Sequence, residues 1–274
     1  PFPHIVIDNF LKEEVHADLK KEFESVNVDV EGNFKGYRNT KEPLFVGYGG
    51  EHHMAYRMNL NPNFGLKHNF FQNMAWKNFI QSLVPDIPLE NYLLTEMHNH
   101  QGKSTDGFVH TDFDPSLFDN KHYGGENRIF DGIDTAWNPL SPDNCGVCDG
   151  EEVSFPFVQK MVASIYYIGY GSKIDEDKPP GGHTALFWYD DNINPAKGIS
   201  PIENRLALFE NSPWSYHAFR SNNSTHRYSI YNWWHVDGKF AQDKYPHSDL
   251  CSDMRTPMES RKYTDYEGEP VIED

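Results

Sequence analysis

The sequence is poor in cysteine, in basic side chains and in long apolar runs, and each shortage argues against a class of protein. Three cysteines in 274 residues do not make a disulfide framework, so we expect a reducing compartment, the cytoplasm. No run reaches the roughly 18 to 20 apolar residues of a membrane helix, and the first residues lack the basic head of a secretory signal. With 24 basic against 41 acidic side chains the net charge is −17, which disfavours nucleic acid and membrane surfaces as partners.

Bulky side chains, by contrast, are abundant enough to build a core. Hydrophobic residues occupy 38% of positions and aromatic residues 15%, which argues against disorder for most of the chain. We expect a single domain over residues 1–274. In this division residues 1–89 supply packing helices, residues 90–237 form a β core and residues 238–274 are a polar tail.

Two apolar repeats in the N-terminal part predict helices that pack on this core. After a β-like run at His4–Ile7, Asp8 or Asn9 can cap a helix whose apolar stripe recurs every four residues. The stripe consists of Leu11, Val15, Leu19 and Phe23. A second helix is expected over residues 69–84, ended by Pro85. Its apolar row is Phe71, Ala75, Phe79 and Leu83.

From about residue 90 the pattern changes to short runs of Tyr, Phe, Ile and Trp between Gly, Pro, Asn and Asp. The runs lie near residues 92–98, 107–111, 162–168, 184–189, 205–209, 214–219 and 226–234. They predict a mainly β fold, a double-stranded β-helix of the jelly-roll or cupin-like kind with the N-terminal helices packed outside.

One long insertion interrupts this pattern. Residues 113–157 show little periodicity, and a loop of that length inside a compact domain is typical of a functional lid. Its aromatic residues are Phe113, Phe118, Phe130 and Trp137. We therefore expect the insertion to cover a site.

The first candidate for metal chemistry is the pair His110 and Asp112. Side chains two residues apart on a strand emerge from the same face, so this imidazole and carboxylate can bind one cation. The pair alone is a weak signal, because His-x-Asp occurs at four places in the chain. It is distinguished by His217 on a later strand and by Arg227 ten residues after that. Two imidazoles and one carboxylate form the facial ligand set favoured by non-haem Fe(II).

Each of these residues also has an ordinary interpretation. His110 and Asp112 could be a hydrogen-bonded surface pair, and His217 a histidine of the core. Arg227 could form an ion pair with one of the many acidic residues. The metal hypothesis depends on their occurring together.

Further motifs follow in a fixed order over residues 90 to 235. After His110-x-Asp112 come residues 164–168, 181–187 and 201–209, then His217 and Arg227-x-Ser229. In this order they resemble 2-oxoglutarate- and Fe(II)-dependent dioxygenases of the prolyl 4-hydroxylase-like group. The opening, residues 3–11, is also similar to bacterial and phage members.

The resemblance implies an enzyme that holds Fe(II) on His110, Asp112 and His217 and uses 2-oxoglutarate and O2 as cosubstrates. It implies hydroxylation of an unactivated C–H bond with release of succinate and CO2. A peptidyl proline, an amino acid and another small molecule all stay open as substrates.

The resemblance also implies a cosubstrate pocket. Arg227 offers a planar, permanently charged fork for the distal carboxylate of 2-oxoglutarate, and Tyr167 supplies a further hydrogen bond. Alternation along the strand adds three side chains on the face of Arg227, namely Ser229, Tyr231 and Trp233. Where family members often carry a tyrosine, this chain has His100, which could be a hydrogen-bond donor, a substrate contact or a structural residue.

Two hypotheses from other classes stay open. Cys145-x2-Cys148 and His247-x3-Cys251 have the spacing of a structural zinc site, although nothing in the sequence places the two segments side by side. A non-catalytic jelly-roll module that binds a metal or a sugar would keep the same fold and the same triad without turnover.

Overall fold

The computed structural model describes residues 2–27, 46–48, 55–59, 67–101, 106–117, 127–136, 157–170, 177, 180–224 and 226–246. Its strands are β1 (His4–Ile7), β2 (Val46–Tyr48), β3 (Ala55–Asn59), β4 (Tyr92–Gln101), β5 (Pro115–Leu117), β6 (Asn127–Phe130), β7 (Ile133–Ala136), β8 (Phe157–Tyr170), β9 (Thr184–Trp188), β10 (Asp191–Ile199), β11 (Arg205–Glu210), β12 (His217–Phe219) and β13 (His226–Asp237). Its helices are α1 (Glu13–Asn27), a 3-10 helix (Lys67–Gln72), α2 (Met74–Leu83) and α3 (Gly238–Lys244). None of the helices within these ranges is long and apolar enough to cross a membrane.

The chain is mainly β, and its described strands form two sheets. The large sheet has ten strands, with the main path β1-β11-β8-β13-β4-β3-β2, and the small sheet has the order β10-β9-β12. The pairings between described strands are antiparallel except for that of β4 with β7. Strand β13 lies between β8 and β4 and is therefore paired along both edges.

Alternation along the central strands gives the large sheet two distinct faces. The outer face packs against the helices through a buried core that includes Leu19, Phe23, Trp76, Ile80, Met97, Tyr166, Leu208, Ile230 and Trp234. The inner face packs against the small sheet through Leu94, Ala163, Ile165, Tyr167, Leu186, Ile199, Ala207, Phe209 and Trp233. Burial of each large apolar side chain contributes roughly 1.5 to 3 kcal/mol, so this layering holds the central strands rigidly.

The helices occur where the apolar repeats predict them, but their boundaries and buried faces differ. Helix α1 begins at Glu13, because the chain turns at Asn9, which has φ 49°, and Asp8 instead receives a hydrogen bond from Arg205 Nη2 at 3.0 Å. Val15 is 42% exposed, so the buried stripe is narrower than predicted.

The second predicted helix is divided in two. The 3-10 helix ends at Gln72, and Asn73 then caps α2 by accepting a hydrogen bond from the Trp76 backbone N–H. This break shifts the helical phase, so that Trp76 and Ile80 are buried and Ala75 is exposed.

Two strand predictions need correction. Residues 107–111 do not form a strand, since only His110 makes an isolated bridge. The predicted insertion at residues 113–157 contains the short strands β5, β6 and β7, and β8 begins at Phe157. Strands of three or four residues are too short to show a clear period of two, so the sequence pattern predicts a loop in this region. Strand β10 was also missed.

Only part of the predicted lid can be located. Phe113 is fully buried in the core of the outer face rather than over a site. Phe118 and Trp137 lie outside the described residues, so the lid stays a prediction. In the predicted tail, α3 follows β13 directly and packs against it and β8.

Candidate active site

The three candidate metal ligands converge on one point. His110 and His217 exchange both backbone hydrogen bonds, at 2.8 and 3.0 Å, and their ring centroids are 4.4 Å apart. Asp112 follows with φ 53°, a left-handed conformation that turns its carboxylate back toward the imidazoles. Its Oδ1 lies 3.3 Å from His110 Nε2 and its Oδ2 lies 3.2 Å from His217 Nε2. The ligand atoms of all three lie within 4.8 Å of one another, although the pair does not share a strand as predicted.

The backbone fixes which nitrogen of each imidazole is free to bind a metal. His110 Nδ1 is 3.0 Å from the carbonyl oxygen of Phe108, and His217 Nδ1 is 3.0 Å from that of Ser215. A carbonyl oxygen only accepts, so each Nδ1 carries the hydrogen and donates it. In the neutral rings the lone pair therefore lies on Nε2, which is the atom directed at the shared point.

The electrostatics of this cluster favour a bound cation. Burial alone would raise the pKa of Asp112, but the adjacent His110 and His217 outweigh it and hold that pKa well below its ordinary value. Burial likewise would lower the pKa of His110, and the Asp112 carboxylate raises it instead. The carboxylate is thus ionised, as a metal ligand must be.

Trp233 fixes the orientation of the ligand carboxylate. Its indole Nε1 donates a hydrogen bond to Asp112 Oδ2 at 2.8 Å, and its ring stacks on Tyr231 at 5.6 Å between centroids. The predicted place of Trp233 was the wall of the cosubstrate pocket near Arg227. The structure instead directs its polar atom at the metal ligands, six residues along β13 from Arg227.

Arg227 is fully buried on the inner face. Its Nη2 donates to the Tyr231 hydroxyl at 2.8 Å, whereas Nε and Nη1 have no hydrogen-bond partner among the described residues. Aromatic rings surround the guanidinium carbon, with centroids at 5.0 Å for Tyr167 and 5.2 Å for Phe219. A buried guanidinium with unused donors is costly, and a carboxylate bound by two nitrogens would satisfy it.

Besides the Tyr231 hydroxyl, the side chains of Tyr167, Thr184 and Ser229 bring three more hydroxyl groups to the region of Arg227. The Tyr167 hydroxyl donates to Thr184 Oγ1 at 2.7 Å, and burial raises the pKa of Tyr167 to about 12, so that it stays a neutral phenol. Ser229 Oγ is buried without a hydrogen-bond partner among the described residues. Thr184 was not singled out from the sequence, although alternation along β9 places it on the same face as the buried Leu186.

Strand β4 adds a buried polar row to the inner face. Glu96, His98 and His100 are two residues apart and all buried. His98 Nε2 donates to Glu96 Oε2 at 2.7 Å, and its ring stacks on Tyr231 at 4.2 Å. The His100 ring stacks on Phe219 at 4.3 Å, beside Arg227. The structure thus places His100 next to the proposed cosubstrate pocket, whereas Glu96 was not singled out from the sequence, because an acidic residue on a strand gives no apolar signal.

The predicted zinc ligands lie outside the described residues. They are Cys145, Cys148, His247 and Cys251. The zinc site therefore stays a prediction.

Two imidazoles, one carboxylate and a neighbouring buried arginine define a candidate mononuclear metal centre with an anion pocket. No protein-family model and no curated protein matches this chain. Solved structures similar to it include a prolyl-4-hydroxylase from Pseudomonas putida, at 14% identity, covering 85% of this chain and 92% of that chain, with a TM-score of 0.49. Another is the viral collagen prolyl hydroxylase of Paramecium Bursaria Chlorella virus-1 in its 2OG complex, at 14% identity, covering 85% and 96%, with a TM-score of 0.45.

A third similar structure is HygX from Streptomyces hygroscopicus with nickel and 2-oxoglutarate bound, at 10% identity, covering 84% of this chain and 82% of that chain, with a TM-score of 0.44. Residue roles do not transfer at such identities.

Proposed function

We propose that this protein is an Fe(II)- and 2-oxoglutarate-dependent oxygenase. It hydroxylates an unactivated C–H bond of a small-molecule or peptide substrate and releases succinate and CO2. The observation that carries the proposal is the convergence of His110, Asp112 and His217 beside the buried, partly unsatisfied Arg227. A structural metal site would use four protein ligands, whereas three leave positions for reacting molecules.

The side chains around the metal position it. His110 and His217 present Nε2 because Phe108 and Ser215 hold the opposite nitrogens, and Trp233 holds Asp112 Oδ2. An iron ion bound there supplies the activation of dioxygen, which no side chain can perform. Buried apolar side chains of the inner face, among them Phe209 with its ring centroid 4.8 Å from that of His217, would limit the access of water to the reacting atoms.

The cosubstrate pocket is assigned to the surroundings of Arg227. The two unused nitrogens of Arg227 would bind the distal carboxylate of 2-oxoglutarate, and Ser229 Oγ is available as a further hydrogen-bonding group. The hydroxyl groups of Tyr167 and Thr184 are hydrogen-bonded to each other at the same place. His100 on β4 is paired directly with Arg227 on β13. Because every one of these side chains is buried, the charge of the pocket acts in a low-dielectric environment.

We also assign the architecture to a jelly roll. Two facing sheets, helices on one side only and a site between the sheets support that assignment. The small sheet contributes His217, and the large sheet contributes Arg227. A single domain that joins both parts of the site agrees with this arrangement.

Turnover of 2-oxoglutarate tests the proposal. Purified protein with Fe(II), 2-oxoglutarate and air should form succinate even without a primary substrate, at a low rate. His110→Ala should abolish this iron-dependent formation, whereas His16→Ala, which removes a buried histidine on the helical side, should keep it. Metal binding without 2-oxoglutarate binding or succinate would instead identify a non-catalytic module.

A further inference from the structure

A lysine lies beside the metal ligands and has no role in the chemistry proposed so far. Lys160 is on β8, and its Nζ lies 5.7 Å from the ring centroid of Trp233, the residue that holds Asp112. Its backbone N–H also donates to the carbonyl oxygen of Asp114 at 3.1 Å. Asp114 belongs to residues 110–114, the ligand loop, which carries the candidate ligands His110 and Asp112. The ammonium group is therefore on the inner face, on the Trp233 side of the candidate metal ligands.

This ammonium group is charged, and the carboxylates that act on it are those of Asp114, Asp112 and Glu96. Burial alone would lower the pKa of Lys160, but the carboxylates of Asp114 and Asp112 outweigh it and raise that pKa. Its one ion-pair partner among the described residues is Asp114, at 3.4 Å. The Lys160 side chain is 15% exposed and that of Asp114 is 50% exposed. Such a half-solvated pair contributes little to stability, so a better desolvated anion can replace Asp114.

Lys160 and the proposed cosubstrate arginine occupy opposite ends of the inner face. Lys160 lies opposite His235 in the strand pairing, eight residues along β13 from Arg227. At 3.3 Å per residue this separates the two backbone positions by about 26 Å. One cation at each end indicates two anionic ligands, with the metal ligands closer to Lys160.

We propose that Lys160 binds a carboxylate of the primary substrate. This inference rests on the proposed oxygenase function. It favours a free amino acid or another small carboxylic acid over a peptide whose target is an internal residue without a carboxylate of its own, such as proline. The buried Glu96 and His98 pair on the same face supplies polar contacts for the rest of such a molecule.

Binding under nitrogen tests the inference without turnover. Calorimetry first measures the Kd of 2-oxoglutarate for the Fe(II)-loaded protein, and then the Kd of each common L-amino acid and of its carboxamide for the ternary complex. We expect at least one acid to bind and its amide to bind 10-fold or more weakly. Lys160→Met should weaken acid binding about 10- to 100-fold and leave amide binding unchanged, as for a lost charge-assisted hydrogen bond. Lys160→Arg, which keeps the charge, should retain most of the affinity.

Asp114→Asn is the matched control for a structural role. If Lys160 binds the substrate, removing its competing carboxylate leaves acid binding unchanged or tighter. If Lys160 only ties β8 to the ligand loop, Asp114→Asn and Lys160→Met should cause the same loss, and the inference is wrong. Equal Kd values for acids and amides throughout, or a Lys160→Met loss that falls on 2-oxoglutarate, would also overturn it. Failure of the native protein to bind 2-oxoglutarate at all would refute the oxygenase function itself.

Discussion

The indole N–H of Trp233 donates to Asp112 Oδ2 at 2.8 Å, and this contact joins the one candidate ligand with a positive φ to a central strand of the large sheet. Asp112 has φ 53°, a conformation that a non-glycine residue rarely adopts. Trp233, in contrast, lies on β13, which is paired along both edges. The carboxylate is thus turned toward the imidazoles by its own backbone and held there by a side chain remote in sequence.

Trp233→Phe should therefore weaken metal binding while keeping an aromatic wall. Loss of a hydrogen bond to a ligating carboxylate typically lowers metal affinity about 10- to 100-fold. Competition between the protein and a chelator for Mn(II) or Fe(II) measures the change.

The control for this variant is Trp76→Phe on the other side of the large sheet. Trp76 Nε1 donates to Asn232 Oδ1 at 3.0 Å, so the same substitution removes the same kind of hydrogen bond far from the ligands. It should lower stability and leave the metal Kd unchanged. Equal losses of metal affinity in both variants would show that Trp233 acts through stability alone.

Arg227→Met should weaken cosubstrate binding without lowering the stability of the protein. Removing a buried charge with two unsatisfied nitrogens should leave the melting temperature of the metal-free protein unchanged or raised. The same change should weaken 2-oxoglutarate binding by roughly 2 to 5 kcal/mol, because the carboxylate then lacks its partner. Thermal unfolding with and without 2-oxoglutarate measures both effects.

Arg220→Met provides the contrast, since that buried arginine is paired with Asp106 at 3.0 Å. Its loss leaves a carboxylate without its cation and should lower the melting temperature. An Arg227→Met protein that binds 2-oxoglutarate normally would remove Arg227 from the proposed pocket.

The order of motifs was enough to predict which residues meet at the site. His217 lies far in sequence from His110 and Asp112, yet a facial ligand set needs these residue types, and Arg227 follows at the spacing of one more strand. The alternation along β13 also placed Arg227, Ser229 and Trp233 on one face.

Contacts that depend on backbone irregularity or on distant partners were beyond such patterns. The left-handed turn at Asp112 has no glycine to signal it, and the sequence gives no hint that Trp233 would reach Asp112 rather than the cosubstrate. Glu96, His98 and Lys160 break the apolar alternation of buried strands, so they read as exposed positions. Only the assembled sheets show that they are buried on the inner face or lie against Trp233.

Acid should destabilise the protein through His235. Burial, together with the charge of Lys160, lowers the pKa of His235 to about 3, against roughly 6.5 in the unfolded chain. The unfolded state therefore takes up a proton that the folded state refuses. This contribution to stability is fully present above pH 6.5 and is lost at about 1.4 kcal/mol per pH unit as the pH falls toward 3. His183, whose pKa burial lowers to about 4, acts in the same direction.

His235→Asn should flatten that dependence. The Asn side-chain amide can still donate to the carbonyl oxygen of Tyr92, which accepts from His235 Nδ1 at 3.0 Å, but it does not titrate. Urea unfolding at pH 7.5, 6 and 5 should show a smaller loss of unfolding free energy for the variant than for the native protein. The slope of that free energy against pH should be reduced by the equivalent of about one proton. Parallel curves for the two proteins would show that His235 does not control the acid sensitivity.

Gly182→Ala should disturb the cosubstrate pocket through Arg227. Gly182 has φ 72°, and a Cβ there would lie 3.2 Å from Arg227 Cδ, closer than an ordinary carbon contact. Gly132 has the comparable φ of 81°, but its nearest neighbour, Met74 Cγ, would be 3.7 Å away. Both alanine variants should therefore lose roughly 1 to 2 kcal/mol of stability from backbone strain, while only Gly182→Ala should also weaken 2-oxoglutarate binding. Calorimetric titration of 2-oxoglutarate into both variants checks this, and equal Kd values would show that the guanidinium does not depend on the close approach of this glycine.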